Sequence, residues 1–153
     1  ANGGSRVFFL GSTKDTLDLI NNNMSKDYPN ITIAGSYSPP FKDEFSQQDI
    51  DNMVNIINKA RPDVLWIGMT APKQEKWIFN NYQMLDVRFA AAIGAVFNFY
   101  AGNVPRSHKF FREYGMEWLP RLIRQPFRLS RRVFVSAPVF LYHVAIEKIK
   151  SLK

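Results

Sequence analysis

Four places in this sequence carry residue types at spacings that can do chemistry. After the apolar run Val64-Leu65-Trp66-Ile67, Gly68 breaks the pattern, a short loop follows, and Pro72 opens a helix with Lys73, Gln74 and Glu75 on its first turn. Pro suits the first helical position, where no backbone N–H is needed. A strand tip that meets a helix N-terminus presents free N–H groups and the positive end of the helix dipole, which favour an anion, phosphate above all. Lys73 can meet such a phosphate, Gln74 can donate and accept hydrogen bonds, and Glu75 can accept from a sugar hydroxyl or act as a base. Lys and Glu are also ordinary helix formers, so the same residues fit a purely structural turn. The second place is 94–102, where Gly94 and its small neighbours allow close backbone approach and Asn98 can bind a ribose or a base edge, or close a local turn. The third is Tyr37, beside Pro39 and Pro40, a flat surface for a nucleobase or a packed ring. The fourth is the series Arg121, Arg124, Arg128 and Arg131, whose spacings of three, four and three put them on one helix face.

Arg binds phosphate bidentately, so several on one stripe can hold a diphosphate. Leu122, Ile123, Phe127, Leu129, Val133 and Phe134 lie between them, a composition that suits a membrane interface. The structural alternative is a solvated face whose Arg stems cover apolar surface. Four aligned Arg without acidic partners repel one another, which favours an anionic ligand.

The elements that must position these residues alternate in type. Apolar strands are predicted at 7–10, 31–33, 64–67 and 89–93, with Gly11, Gly68 and Gly94 marking three of their ends. Thr13 caps a helix over 14–26 with Leu17, Ile20 and Met24 at helical spacing. Residues 35–40 read as a loop because of the paired prolines. Ser46 and Asp49 resemble a capping box ahead of the stripe Ile50, Met53, Val54 and Ile57. The order β-α-β-α-β-α-β with uniformly apolar strands predicts an α/β fold: an open, mainly parallel, Rossmann-like sheet with helices on both faces. An open sheet of this kind binds its ligand beyond the carboxyl ends of the strands, so Gly68, Gly94 and their neighbours fall at one edge. After Gly102 the style changes. Residues 107–113 and 116–134 are predicted as helices rich in Arg and aromatics, and Pro138 interrupts or restarts a last helix that runs to about Lys150.

Charge divides the chain at the same place. Residues 1–105 hold nine Lys and Arg against ten Asp and Glu, and residues 106–153 hold eleven against three, so the whole excess of the +7 chain is at one end. The expected organisation is a 1–105 nucleotide-sugar-binding core and a basic 106–153 helical appendage for diphosphate and membrane contact. A localised basic excess implies an anionic partner. Nucleic acid is disfavoured, because the basic residues sit on one short helix with no recognition motif. The absence of cysteine excludes disulfides and thiolate metal sites and fits a reducing compartment. His108 and His143 have no metal-ligand spacing and read as structural, and Glu117 is available to pair an Arg. No Walker or Gly-x-Gly-x-x-Gly loop occurs, and no apolar run is long enough to span a bilayer. The opening Ala1-Asn2-Gly3-Gly4 resembles a cut edge.

Three ordered motifs, 72–78 (PKQEKWI), 94–102 (GAVFNFYAG) and 115–122 (GMEWLPRL) with 126–132 (PFRLSRR), resemble the WecG/TagA/CpsF glycosyltransferases, glycosyltransferase family 26. The resemblance extends from the first strand onward. It implies an inverting, metal-independent transferase that needs no cofactor and moves an N-acetylmannosamine-type or related hexose. The donor would be a UDP-sugar and the acceptor a lipid-linked diphosphate. The site of action would be the cytoplasmic face of the bacterial plasma membrane, in teichoic acid, common-antigen or capsule synthesis. It places Gln74 in the active-site pocket, gives Asn98 the position of a nucleotide-contacting Asp, and assigns Arg121, Arg128 and Arg131 to the diphosphates and to membrane attachment. Asn98 lacks the charge of that Asp, which implies weaker ribose binding or altered specificity. The family's presumed catalytic Asp lies in an N-terminal segment that precedes the matching residues, so the general base is expected outside this sequence. A non-catalytic membrane-surface or scaffold module that keeps the fold is the alternative. Apolar surface left by such a segment would favour self-association.

Overall fold

The computed structural model describes residues 5–104 and 137–151. The chain divides into two units, Ala1–Pro105 and Arg106–Lys153. In the first, β1 (Arg6–Gly11), β2 (Thr32–Tyr37), β3 (Val64–Gly68) and β4 (Phe89–Ala92) form one parallel sheet in the order β2-β1-β3-β4. The connecting helices are α1 (Lys14–Asp27), α2 (Gln47–Ala60) and α3 (Lys73–Asn81), and α4 (Val96–Ala101) follows β4.

Alternation along β1 explains why both sheet faces are covered. Phe8 and Leu10 join Met53, Val54, Ile57, Leu65, Ile67 and Trp77 in a core under α2 and α3. Val7 and Phe9 point the other way, onto Leu17, Ile20, Phe97 and Ala101 of α1 and α4. Helices on both faces of a parallel sheet are the architecture expected from the strand and helix order. The caps also form as expected. The Thr13 side chain accepts from the Thr16 amide, and Ser46 and Asp49 make a complete capping box. Caps of this kind hold a helix start in place by about 1 kcal/mol each.

Three boundaries differ from the sequence-based expectation. First, β2 continues to Tyr37, through residues expected to be loop. Gly35 makes this continuation feasible: a Cβ there would lie 2.9 Å from the Phe8 ring, so the edge strand can close on β1 only with glycine at that point. The chain skips Ala34 in the pairing, Val7 facing Ile33 and Phe8 facing Gly35. The strand ends at Tyr37, four residues past its expected end and two before Pro39. Second, Pro72 is the N-cap of α3 and not its first helical residue, and the Lys73 amide closes a turn onto the Thr70 carbonyl 2.9 Å away. Third, residues 96–101 form a helix, so Asn98 lies within a helix and does not close the local turn considered for it.

In the second unit the helix Ala137–Ser151 begins with Pro138 in its first turn, a position where Pro is tolerated. Val139, Phe140, Leu141 and Tyr142 are exposed. Among the described residues no helix is long and apolar enough to cross a membrane. The helices expected at 107–113 and 116–134 lie outside the described residues.

Candidate active site

All four strands run the same way, so their carboxyl ends gather at one edge. There β1 ends at Gly11, directly opposite Gly68 of β3. The order β2-β1-β3-β4 sends the chain to one side of β1 and then to the other, which makes the space between the tips of β1 and β3 the topological switch point. In open α/β sheets that crevice receives the ligand.

Glycine is required on both sides of the crevice, for different reasons. Gly11 has φ +113°, and a Cβ on it would lie 2.6 Å from the Gly68 carbonyl oxygen. Ser12 follows at φ 58°, so the β1–α1 turn reverses through two consecutive left-handed residues. A Cβ on Gly68 would sit 2.2 Å from the Phe97 ring. The close approach at Gly68 is therefore made by Phe97, which meets Phe9 edge to face at 5.8 Å and anchors α4. Expected as a substrate contact, Gly68 is first of all the floor under that ring.

Gln74 joins the β3–α3 and β4–α4 loops. Its side chain is buried, and Oε1 accepts from the Met69 amide at 3.2 Å and from the Gly94 amide at 3.1 Å. Nε2 donates to Oε1 of Glu75 at 2.9 Å, which fixes the orientation of the carboxamide. Gly94, with φ +48°, brings its backbone close enough for this clamp; a Cβ there would lie 3.2 Å from Gln74 Nε2. Glu75 is exposed and holds Gln74 through one carboxylate oxygen.

Lys73, expected at a phosphate, is engaged elsewhere. Its ammonium donates to the Lys42 carbonyl and lies 3.7 Å from the centre of the Phe45 ring. It thereby ties the β2–α2 loop to the start of α3. The far end of that loop is held by Lys42, which grips Asp49 at 2.8 Å. The hydrogen bond from Lys42, with those from Ser46, lowers the Asp49 carboxyl to a pKa of about 2. A third tie comes from the Ser38 hydroxyl, which donates to the Ser12 carbonyl at 2.7 Å.

Tyr37 stands at the end of β2, partly buried against the α2 and α3 core, and its hydroxyl accepts from Nδ2 of Asn52 at 3.0 Å. The ring is thus packed and held at the carboxyl edge, not displayed on a loop. Asn98, half-buried on α4, uses its carbonyl to receive the amides of Asn103 and Val104. Its side chain makes no hydrogen bond among the described residues. Arg121, Arg124, Arg128 and Arg131 lie outside the described residues.

The β1–α1 turn is the part of this edge that the motif reading missed. Gly11-Ser12-Thr13 after an apolar strand carries the same strand–glycine–helix signal as Gly68, beyond the capping role of Thr13. Gln74, Glu75 and Gly94 do converge, Tyr37 and Gly68 share their edge, and Lys73 turns toward the β2–α2 loop.

The family model described as Glycosyl transferase WecG/TagA/CpsF family matches residues 1–153. An N-acetylglucosaminyldiphosphoundecaprenol N-acetyl-beta-D-mannosaminyltransferase of Bacillus subtilis (strain 168) is 32% identical over 143 residues, covering 94% of this chain and 53% of the relative. Proteins of the same description from Staphylococcus aureus strains MW2 and NCTC 8325 / PS 47 are 28% identical over 148 residues, 97% of this chain and 55% of theirs. The chain spans about half the length of these curated relatives.

Proposed function

Because the chain belongs to the WecG/TagA/CpsF glycosyltransferase family, we propose that it is the nucleotide-binding part of a hexosyltransferase. It would hold a UDP-sugar while the hexose, of N-acetylmannosamine type, passes to a lipid-linked diphosphate acceptor in cell-surface polysaccharide synthesis. The observation that carries this proposal is the family match over every residue of the chain; the carboxyl-edge crevice between β1 and β3 supports it by offering a place for the donor. The names of these relatives specify a diphosphoundecaprenol-linked acceptor, which supports the acceptor class.

The chemistry is a direct displacement. The acceptor hydroxyl loses its proton to a general base, its oxygen bonds to the anomeric carbon from the face opposite the nucleotide, and the bond to the UDP oxygen breaks with inversion. The base is an Asp supplied by sequence beyond these residues. Departing UDP carries the negative charge, and stabilising it is the task of this chain. The N-terminal turns of α1 and α3 aim backbone N–H groups at the carboxyl edge. In this proposal Arg121, Arg124, Arg128 and Arg131 supply the positive charge that a metal supplies in other transferases. Tyr37 and Asn98 border the nucleoside, and Gln74 with Glu75 keeps the two loops at their working separation.

Contact with a membrane surface, on the inner face of the plasma membrane, is part of this proposal. The exposed Val139, Phe140, Leu141 and Tyr142 on one helix support it, together with the basic excess of residues 106–153. The test is UDP release from a UDP-hexosamine in the presence of a lipid diphosphate, with and without EDTA, together with flotation on anionic liposomes. Transfer that survives EDTA supports the proposal. Strict metal dependence removes the arginine role. Flotation without nucleotide binding would favour a membrane-surface module that keeps the fold and not the reaction.

A further inference from the structure

The chain leaves α4 through a left-handed glycine. Tyr100 sits beside the C-terminal half of α1, where Nδ2 of Asn23 donates to its carbonyl at 2.8 Å and its hydroxyl donates to Asp27 at 2.9 Å. Gly102 then adopts φ +81°, and the amides of Asn103 and Val104 both fold back onto the Asn98 carbonyl. The reversal carries Asn103 up α1 to its first turn. There Nδ2 of Asn103 donates to the Thr16 hydroxyl at 2.9 Å, the Thr16 and Thr13 hydroxyls are 2.9 Å apart, and the Thr16 amide donates to Thr13 Oγ1. Thr16, at the centre of this link, is 4% exposed, and Thr13 and Asn103 on either side of it are exposed.

We infer that Asn103 is a positioning residue for the β1–α1 turn at the switch-point crevice. With its oxygen already receiving the Asn103 N–H, the Thr16 hydroxyl is polarised to give its own proton to Thr13. Thr13 Oγ1 then accepts from both the Thr16 hydroxyl and the Thr16 amide. The cap is held twice. That turn needs such support, because Gly11 and Ser12 place it on two left-handed residues in succession. A residue almost ninety positions downstream therefore fixes the loop that borders the donor crevice. Its effect on ligand rests on the donor reading given above; the link itself does not.

The experiment compares wild type with Asn103→Ala, Thr16→Val and Thr16→Ser in the full chain, by UDP calorimetry and by amide hydrogen exchange without ligand. Exchange at the Thr16 and Leu17 amides should quicken several-fold in Asn103→Ala and Thr16→Val and stay near wild type in Thr16→Ser, while β1 and β3 amides are unchanged. UDP affinity should fall about 3- to 10-fold in the first two variants, the usual effect of one lost hydrogen bond. Thr16→Ser should stay within about two-fold, and the double variant Asn103→Ala/Thr16→Val should bind no worse than either single one. Unchanged exchange in Asn103→Ala overturns the link. Faster exchange with unchanged UDP affinity overturns the positioning role and leaves a local brace. If wild type binds no UDP, the donor reading fails by itself, and the exchange comparison still decides the link.

Discussion

Replacing Gln74 by Met removes the clamp between two loops while nearly preserving side-chain volume, so its cost can be worked out from the hydrogen bonds. Oε1 of Gln74 receives the Met69 and Gly94 amides. The Gly94 amide also reaches the Ile67 carbonyl at 3.3 Å, so it keeps one partner; the Met69 amide has no second acceptor among the described residues. A buried N–H left alone costs about 1–3 kcal/mol, and losing the shorter arm of a shared bond about 0.5–1.5 kcal/mol. Gln74→Met should therefore destabilise the chain by about 1.5–4.5 kcal/mol in urea unfolding followed by Trp fluorescence. Gln74→Glu separates the acceptor role from the donor role. It keeps an oxygen for both amides but sets a second carboxylate about 3 Å from Glu75, in the place of the present 2.9 Å hydrogen bond. Two such carboxyls share a proton, and the folded-state pKa of the pair rises above the unfolded value of about 4.3. Stability of this variant is then closest to wild type below about pH 4 and falls as pH rises through the raised value. A Gln74→Met chain within about 0.5 kcal/mol of wild type would refute the clamp. So would a pH-independent difference between Gln74→Glu and wild type.

Three further outcomes follow from single contacts. Gly68→Ala drives a methyl to 2.2 Å from the Phe97 ring and should cost about 1–3 kcal/mol; Phe97→Leu in the same chain should recover part of that, and equal losses with and without it would remove Phe97 as the cause. The Asp49 carboxyl should titrate at about 2 by carbon NMR, held down first by Lys42 and then by Ser46. Because that value is depressed, its stabilising contribution is whole above the ordinary carboxylate range near 4 and is lost as pH falls toward 2; a midpoint near 4 would show that the Lys42–Asp49 tie is absent. Tyr100 should ionise at about 12, raised first by burial and then by Asp27, so the difference between wild type and Tyr100→Phe in alkaline absorbance titration should appear near 12 and not near 10.

What the sequence disclosed follows from what its patterns encode. The succession of strands and helices and a sheet covered on both faces were readable because β1 is apolar on both sides, Phe8 and Leu10 facing one core and Val7 and Phe9 the other. Thr13 and Ser46 were readable as caps because capping depends on neighbours within three residues. The continuation of β2 was hidden, since Gly35 and the prolines at 39 and 40 signal a loop, and the pairing depends on Phe8 lying across Gly35. Lys73 was legible as a cation near a helix start but not as the partner of Lys42 and Phe45, some thirty residues earlier in the chain. Gly68 drew attention as a strand-end glycine, and only the tertiary structure reveals that Phe97 occupies the space it vacates. Gln74 was found by its motif, while its two backbone partners, Met69 and Gly94, lie on different loops.

The central claim is that a nucleoside diphosphate is held at the carboxyl edge between β1 and β3, and amide chemical-shift mapping of the 17.7 kDa chain with UDP tests it most directly. The expected result is a set of saturable shifts at Gly11, Ser12, Thr13, Met69, Thr70 and Gly94, with little change at Asp63 and Arg88 on the opposite edge. Saturable shifts centred on Asp63 and Arg88, or none at any amide at millimolar UDP, would contradict it.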